Sequence, residues 1–301
     1  MTLSKLLQEK FDLNYYDLYL FSIDASKKYK TYKIPKRNGN KRTIHHPSKE
    51  LKKYQRIFSK LIFAKLPVHK CVHSYKRGIS IKDLALRHKD ERFLLRVDFK
   101  DFFPSLKSKS IRYLLEKNLN AYDFKLTSDD ITIINSIVCR YGSLTIGAPT
   151  SPIISNAILY DLDSKFNSFS KDITYSRYAD DLYFSTNKPD ILKNVIPFIK
   201  QVLADYFINL QINEDKNIYT SKKRKRMITG LVLTSDNKVS IGREKKNQIK
   251  TLVYQYKKGD ISPKNLKYLK GYMSFIQSVE DTFITSLISK YNKETIDSLL
   301  N

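Results

Sequence analysis

Two adjacent acids, Asp180 and Asp181, sit between two β-rich runs, Thr174–Tyr178 and Leu182–Ser185. A strand sends successive side chains to opposite faces. Neighbouring carboxylates can therefore serve one site only where a turn breaks that alternation. Such a pair also repels itself, and a shared proton or a divalent cation must relieve the repulsion. A bare Asp-Asp dipeptide would be an ordinary polar turn. A third acid changes the reading. Asp98 closes a short apolar strand, Phe93–Asp98, and can enter the same site; the plainer alternative is an acid that caps a helix or ends the strand. Mg²⁺ takes oxygen ligands and keeps waters and substrate phosphates in its shell. Two acids plus one from elsewhere are what a two-metal phosphoryl-transfer site requires.

Charge points the same way. Lys and Arg number 55 against 30 Asp and Glu, a net charge of +25. An excess of that size favours an anionic partner, and nucleic acid is the common one. The cations cluster: Lys27, Lys28, Lys30, Lys33, Lys36, Arg37, Lys41 and Arg42 form one group, with Tyr29 and Tyr32 interleaved. Lys222, Lys223, Arg224, Lys225 and Arg226 form another. No run reaches the ~18 apolar residues of a membrane span. Lys5, Glu9 and Lys10 fall where a signal peptide needs an apolar stretch. A soluble, cytoplasmic protein is expected, with no membrane partner. Cys71 and Cys139 are far apart and lack metal-ligand spacing, so they read as reduced thiols rather than a zinc site.

Along the chain, residues 4–27 suggest one or two short helices. Tyr29–Lys36 and Lys41–His46 read as strands joined by Asn38-Gly39-Asn40, a strong hairpin signal. Ser48 caps a helix running to about Leu66, with apolar residues at helical spacing. Further helices are predicted over 80–88, 107–118 and 128–140, and one long helix from Ile153. Another follows at 190–206, then short strands around 209–220 and 227–234, then helices over 244–257, 262–279 and 281–299. The pattern is an α+β body followed by a helical appendage.

Tyr178-Ala179-Asp180-Asp181 resembles the YxDD box of reverse transcriptases. Val97 to Leu106, around Asp98, resembles the family's first catalytic-acid motif. Gly147-Ala148-Pro149-Thr150-Ser151-Pro152-Ile153-Ile154-Ser155-Asn156 resembles its template- and nucleotide-contacting motif. The similarity spans roughly residues 29–280. Within the family the chain resembles bacterial retron reverse transcriptases. It is compact, Ala85-Leu86-Arg87-His88 resembles the end of their NAxxH element, and Ile228-Thr229-Gly230 resembles their VTG triplet. Leu84 replaces the element's Asn, and Ile146 stands where Gln often precedes Gly-Ala-Pro, so any contact there must come from backbone.

The resemblance implies a right-hand polymerase: N-terminal helices and fingers over 1–91, a palm of antiparallel sheet and helices with the remaining fingers elements over 92–238, and a helical thumb over 239–301. It implies that Asp98, Asp180 and Asp181, with the Phe99 carbonyl, hold two Mg²⁺ ions. Phe103 takes the place of the sugar-selecting aromatic. Lys41 and Arg42 contact the triphosphate of the incoming dNTP, and Lys216 approaches the pyrophosphate as a proton donor. Gly147, Ala148 and Pro149 contact template and primer. Lys222 to Arg226 would hold RNA phosphates, and Thr229 and Gly230 would help select the RNA. Adjacent His45 and His46 face opposite ways on a strand and receive no role. The implied activity is synthesis of a branched RNA-linked DNA (msDNA) from a cognate non-coding RNA, in phage defence with a separate effector protein. The competing readings are a group II intron-like reverse transcriptase, which would need a maturase or DNA-cleaving region, and a non-catalytic RNA-binding protein on a polymerase fold.

Overall fold

The computed structural model describes residues 1–35, 39, 41–206 and 208–300. The chain begins with helices α1 (Leu3–Phe11) and α2 (Tyr15–Ile23), whose first turns are capped by the Thr2 and Asn14 side chains. Strands β1 (Tyr29–Pro35) and β2 (Lys41–Pro47) pair antiparallel, Tyr29 opposite Pro47 and Pro35 opposite Lys41. The register is the predicted hairpin; Lys36, Arg37, Asn38 and Asn40 at its tip lie outside the described residues. Ser48 caps α3 (Lys49–Leu61) as expected, accepting the Leu51 N–H. Leu51, Tyr54, Ile57 and Phe58 form its buried stripe. Helix α4 (Ile81–Arg87) starts at a Ser80–Asp83 capping box, in which each side chain satisfies the other residue's N–H.

Strand β3 (Phe93–Lys100) is the axis of the molecule. Helices α5 (Phe102–Ser105), α6 (Ser108–Lys117) and α7 (Ser128–Val138) follow it. The single helix expected from Ile153 is two, α8 (Ser151–Ile158) and α9 (Tyr160–Asn167), stepped at Leu159. Then come β4 (Thr174–Tyr178), β5 (Asp181–Thr186) and α10 (Val195–Asp205). Two short strands, β6 (Gln211–Ile212) and β7 (Ile218–Ser221), return to β3. The sheet order is β4-β5-β3, with β7 along the first half of β3 and β6 at its end. All pairings are antiparallel.

The remainder is a second body. Strands β8 (Arg226–Ile228), β9 (Leu231–Leu233) and β10 (Val239–Ser240) make a separate small sheet. The short-strand region expected at 227–234 is the β8–β9 hairpin. Helices α11 (Arg243–Lys257), α12 (Pro263–Val279), α13 (Asp281–Tyr291) and α14 (Lys293–Leu300) complete it. The last predicted helix is divided at Asn292, whose φ of 74° no helix accommodates.

Period-two alternation explains how β3 positions the site. Leu95, Val97 and Phe99 face the larger core, with Leu182 and Phe184 of β5. Leu94 faces the other way and joins the second core with Tyr183, Leu84 and Ala85, the small sheet and the C-terminal helices. Asp98 falls on this same face, two pleats beyond Leu94. The second body covers the Leu94 end of the face and leaves the Asp98 end to the site.

Candidate active site

Asp98 and Asp181 are directly opposite across β3 and β5. Cross-strand partners on one face hold their side chains within ~5.5 Å at Cβ. Asp180 joins them because Ala179 has φ 56°, the left-handed turn that breaks the alternation. The Asp180 carbonyl accepts the Phe99 N–H at 3.1 Å, which ties the turn to β3. The Asp98 carbonyl accepts the Asn213 N–H at 2.8 Å. The register and the turn therefore set the three expected acids at adjoining backbone positions, with the Phe99 backbone beside them.

Their electrostatics are those of a crowded, desolvated cluster. Burial pushes the Asp180 carboxyl above the usual carboxylate range, and the charge of Asp98 adds to this; Lys216 and Arg42 pull it back. Burial likewise raises Asp181 to about 6, with Arg96 opposing the rise and Asp180 and Asp98 adding to it. Two cations neutralise the cluster. Lys216 Nζ donates to Asp98 Oδ1 at 2.8 Å, and Arg96 Nε lies 3.7 Å from Asp181 Oδ1. Among the described residues no three His, Cys, Asp or Glu side chains are drawn together as a metal cage. The donor set nonetheless fits a hard divalent ion: it is all oxygen, partly desolvated and in mutual repulsion.

Around the acids, Phe103 stands at the start of α5, half-buried, its ring centroid 5.2 Å from that of Phe102. Lys41 and Arg42 are exposed on β2. Gly147 has φ 114°, and a Cβ there would lie 2.7 Å from the His45 carbonyl oxygen. Only glycine permits that approach. The Ile146 carbonyl accepts the His45 N–H at 2.9 Å, so the backbone at this departure from the family pattern pins the β1–β2 hairpin. Ala148 is buried and Pro149 half-buried.

The basic run divides. Lys223, Arg224 and Lys225 are exposed, and the Lys222 ammonium donates to Asn237 Oδ1 at 2.6 Å. Arg226 corrects the expectation. It is 1% exposed, and its guanidinium donates to the backbone carbonyls of Glu91 and, at 2.8 Å, Thr234. Those groups need its donors in the absence of water, so it cannot serve as a phosphate ligand. Thr229 is a second correction. With φ 46° and Gly230 at 90°, it forms the two-residue turn between β8 and β9. Its hydroxyl is buried rather than offered to RNA. Its N–H donates to Tyr183 Oη at 3.3 Å, and Tyr183 Oη donates to Asp181 Oδ2 at 3.3 Å. Gly230 is exposed.

Sequence reasoning missed Arg96 and Tyr183, each two residues from an acid on its strand; period two would have found both. It also missed Tyr75, 52% exposed with φ 59°, whose hydroxyl is held above the ordinary phenol range by burial first and by the charge of Asp180. No short motif reports that proximity.

Comparison with known proteins agrees with this geometry. The family model described as reverse transcriptase (RNA-dependent DNA polymerase) matches residues 34–256. A telomerase from Candida albicans, solved with a fragment of telomeric RNA, aligns with a TM-score of 0.50 at 13% identity, over 98% of this chain and 63% of that one. A telomerase from Candida tropicalis gives 0.50 at 14% identity, over 87% and 57%. At such identities the likeness carries the fold alone, and that fold is the right-hand polymerase. The chain is thus a reverse transcriptase, an RNA-directed DNA polymerase. Within that class it is 35% identical over 282 residues to the retron Ec83 reverse transcriptase of Escherichia coli, covering 90% of this chain and 89% of the relative. It is 30% identical over 276 residues to the retron Ec73 enzyme of the same organism, covering 88% and 87%. The chain belongs to the retron reverse transcriptases.

Proposed function

We propose that this polymerase copies a cognate non-coding RNA into a branched RNA-linked DNA, using Asp98, Asp180 and Asp181 as the ligands of two Mg²⁺ ions. The observation that carries the reading is the register of β3 and β5. It sets Asp98 opposite Asp181 on the face left open by the second body, with Asp180 delivered by the left-handed turn. When bound, such ions activate the primer hydroxyl and neutralise the triphosphate and the leaving pyrophosphate.

The chain's own groups supply position and charge, which is most of what phosphoryl transfer asks of a protein. The Phe99 carbonyl would join the three acids in holding the ions. Lys216, half-exposed and bonded to Asp98, exchanges that carboxylate for the pyrophosphate. Lys41 and Arg42 hold the triphosphate, and the pull of Arg42 on Asp180 supports this placement. Phe103 stands under the dNTP sugar and excludes a 2′-hydroxyl. Gly147, Ala148 and Pro149 present a close-packed backbone edge to template and primer. Lys222, Lys223, Arg224 and Lys225 hold RNA phosphates, and Gly230 lets backbone approach the RNA.

The division into fingers, palm and thumb at 1–91, 92–238 and 239–301 belongs to this reading, with one core shared across the last boundary. Action in the cytoplasm, beside a separate effector in phage defence, also belongs to it. No described helix is long and apolar enough to cross a membrane.

The test is Asp180→Asn. Primer extension with Mg²⁺ should vanish, while melting temperature and RNA binding stay near the parent's. Removing a buried like charge does not harm the metal-free fold. Full extension activity in the variant would refute the site.

A further inference from the structure

The left-handed conformation of Ala179 is costly for a residue with a Cβ. It persists where surroundings over-determine it, and here both of its backbone groups are clamped. Its N–H donates to Ser74 Oγ at 2.8 Å, and its carbonyl accepts from Arg177 Nη1 at 3.2 Å. The two clamps belong to one closed ring of hydrogen bonds. Asn156 Nδ2 donates to the Ser74 carbonyl at 3.0 Å, and Asn156 Oδ1 accepts from the same Arg177 Nη1 at 3.2 Å. Asp163 anchors the ring, taking Arg177 Nε at 2.8 Å and Nη2 at 2.7 Å, and the Tyr175 hydroxyl at 2.8 Å. All these side chains are buried. Segment 71–73 adds to the free edge of β4, where His73 N–H donates to the Arg177 carbonyl and Arg177 N–H to the Cys71 carbonyl. That edge pairing sets Ser74 level with the turn.

We infer that Ser74, Asn156, Arg177 and Asp163 are positioning residues of the polymerase reaction: they hold Ala179 in the conformation that lets Asp180 and Asp181 serve one site. The inference rests on the assignment of those two acids as the catalytic pair. All four are buried, and they act through Ala179. Asp163 is an acid committed to Arg177 and Tyr175. The ring also runs through α8 and α9, so the helix that follows Gly147 braces the turn that presents the acids. A network that served folding alone would have no need to converge on both backbone groups of one residue in the catalytic turn.

Ser74→Ala removes one clamp and leaves the Ala179 N–H unpaired. Ser74→Cys keeps the shape with a poor acceptor, and carries the test should the alanine variant not fold. Ile199→Val, on the buried face of α10, supplies a loss of stability without touching the ring. Four quantities are read: kcat and KM for dNTP in primer extension, melting temperature, and backbone amide exchange of the 175–182 peptide. Expected is a kcat lowered by roughly ten- to a hundredfold for Ser74→Ala, the scale of a small misplacement of reacting groups. Ser74→Cys should fall between it and the parent. KM should hold, and amide exchange should rise at 175–182 ahead of the rest of the chain. Parental kcat in both variants, or a loss of kcat that Ile199→Val reproduces, would overturn the inference. Asp180→Asn is assayed alongside: activity there defeats the site assignment itself, whereas an inactive Asp180→Asn beside fully active Ser74 variants defeats only the ring.

Discussion

Phe103 occupies the first turn of a four-residue helix directly after β3, with Phe102 locked in the core beneath it. A half-buried ring held from one side is suited to be a wall for a ligand. Phe103→Ala should therefore shift the ratio of kcat/KM for ribo- over deoxynucleotides upward by about tenfold or more, within the usual range for one small steric group. The same truncation should cost less stability than the ~3–5 kcal/mol of a fully buried Phe. An unchanged ratio would assign Phe103 to packing alone. At this scale the acids were legible because the chemistry dictates residue type and the strand pattern dictates place. Arg226 was not, because a run of five cations looks alike in sequence, and only the fold shows which one turns inward to backbone carbonyls. Ser74, Asn156 and Asp163 were illegible for a related reason. A bond between residues 105 positions apart, such as Ala179 to Ser74, leaves no local signature.

At the scale of elements, the sequence resolved strands and capped helices where local signals agree, as at Ser48 and at the β1–β2 register. It failed where tertiary packing decides, in the step at Leu159 and in the two-residue strand β10. The docking of α4 shows what such packing costs. His88, just past α4, is fully buried, with Nδ1 2.6 Å from Ser185 Oγ on β5 and Nε2 without a partner among the described residues. Burial first, then the charges of Arg87 and His73, depress its pKa to about 3. The neutral ring is thus the folded form. Its contribution to stability is complete above the ordinary histidine pKa of ~6.5 and is lost as pH falls toward 3. At pH 5 the loss should be about 2 kcal/mol, from ~1.36 kcal/mol per pH unit below 6.5. Urea unfolding at pH 7 and pH 5 checks it. His88→Gln should start less stable and show a pH dependence smaller by that amount; an equal pH dependence in parent and variant would contradict the burial argument. This assigns the last residue of the family's NAxxH element to docking α4 on the sheet, and Leu84, where the element has Asn, to the apolar core of the second body.

For the molecule as a whole, the charge of +25 and the burial of Arg226 make separable demands. Lys223, Arg224 and Lys225 stand exposed on the connection from the main sheet to the second body, while their neighbour Arg226 joins the two by donating to carbonyls on both: Glu91 before β3 and Thr234 after β9. Exposed cations contribute counterion release, which is blind to sequence and steep in salt. A buried guanidinium contributes satisfaction of backbone acceptors, which salt barely screens. Changing Lys223, Arg224 and Lys225 together to Gln should weaken binding to cognate and scrambled RNA alike. It should reduce the slope of log K against log salt by about 2, from ~0.7 per lost contact on single strands. Melting temperature should hardly move, since exposed charges contribute little to stability. Arg226→Gln should do the reverse. Two carbonyls lose their donors in a dry site, at ~1–3 kcal/mol each, so melting temperature falls while the salt slope of the folded fraction stays parental. A reduced salt slope in Arg226→Gln would return that residue to the RNA-binding surface and break the link between the two bodies argued from its burial.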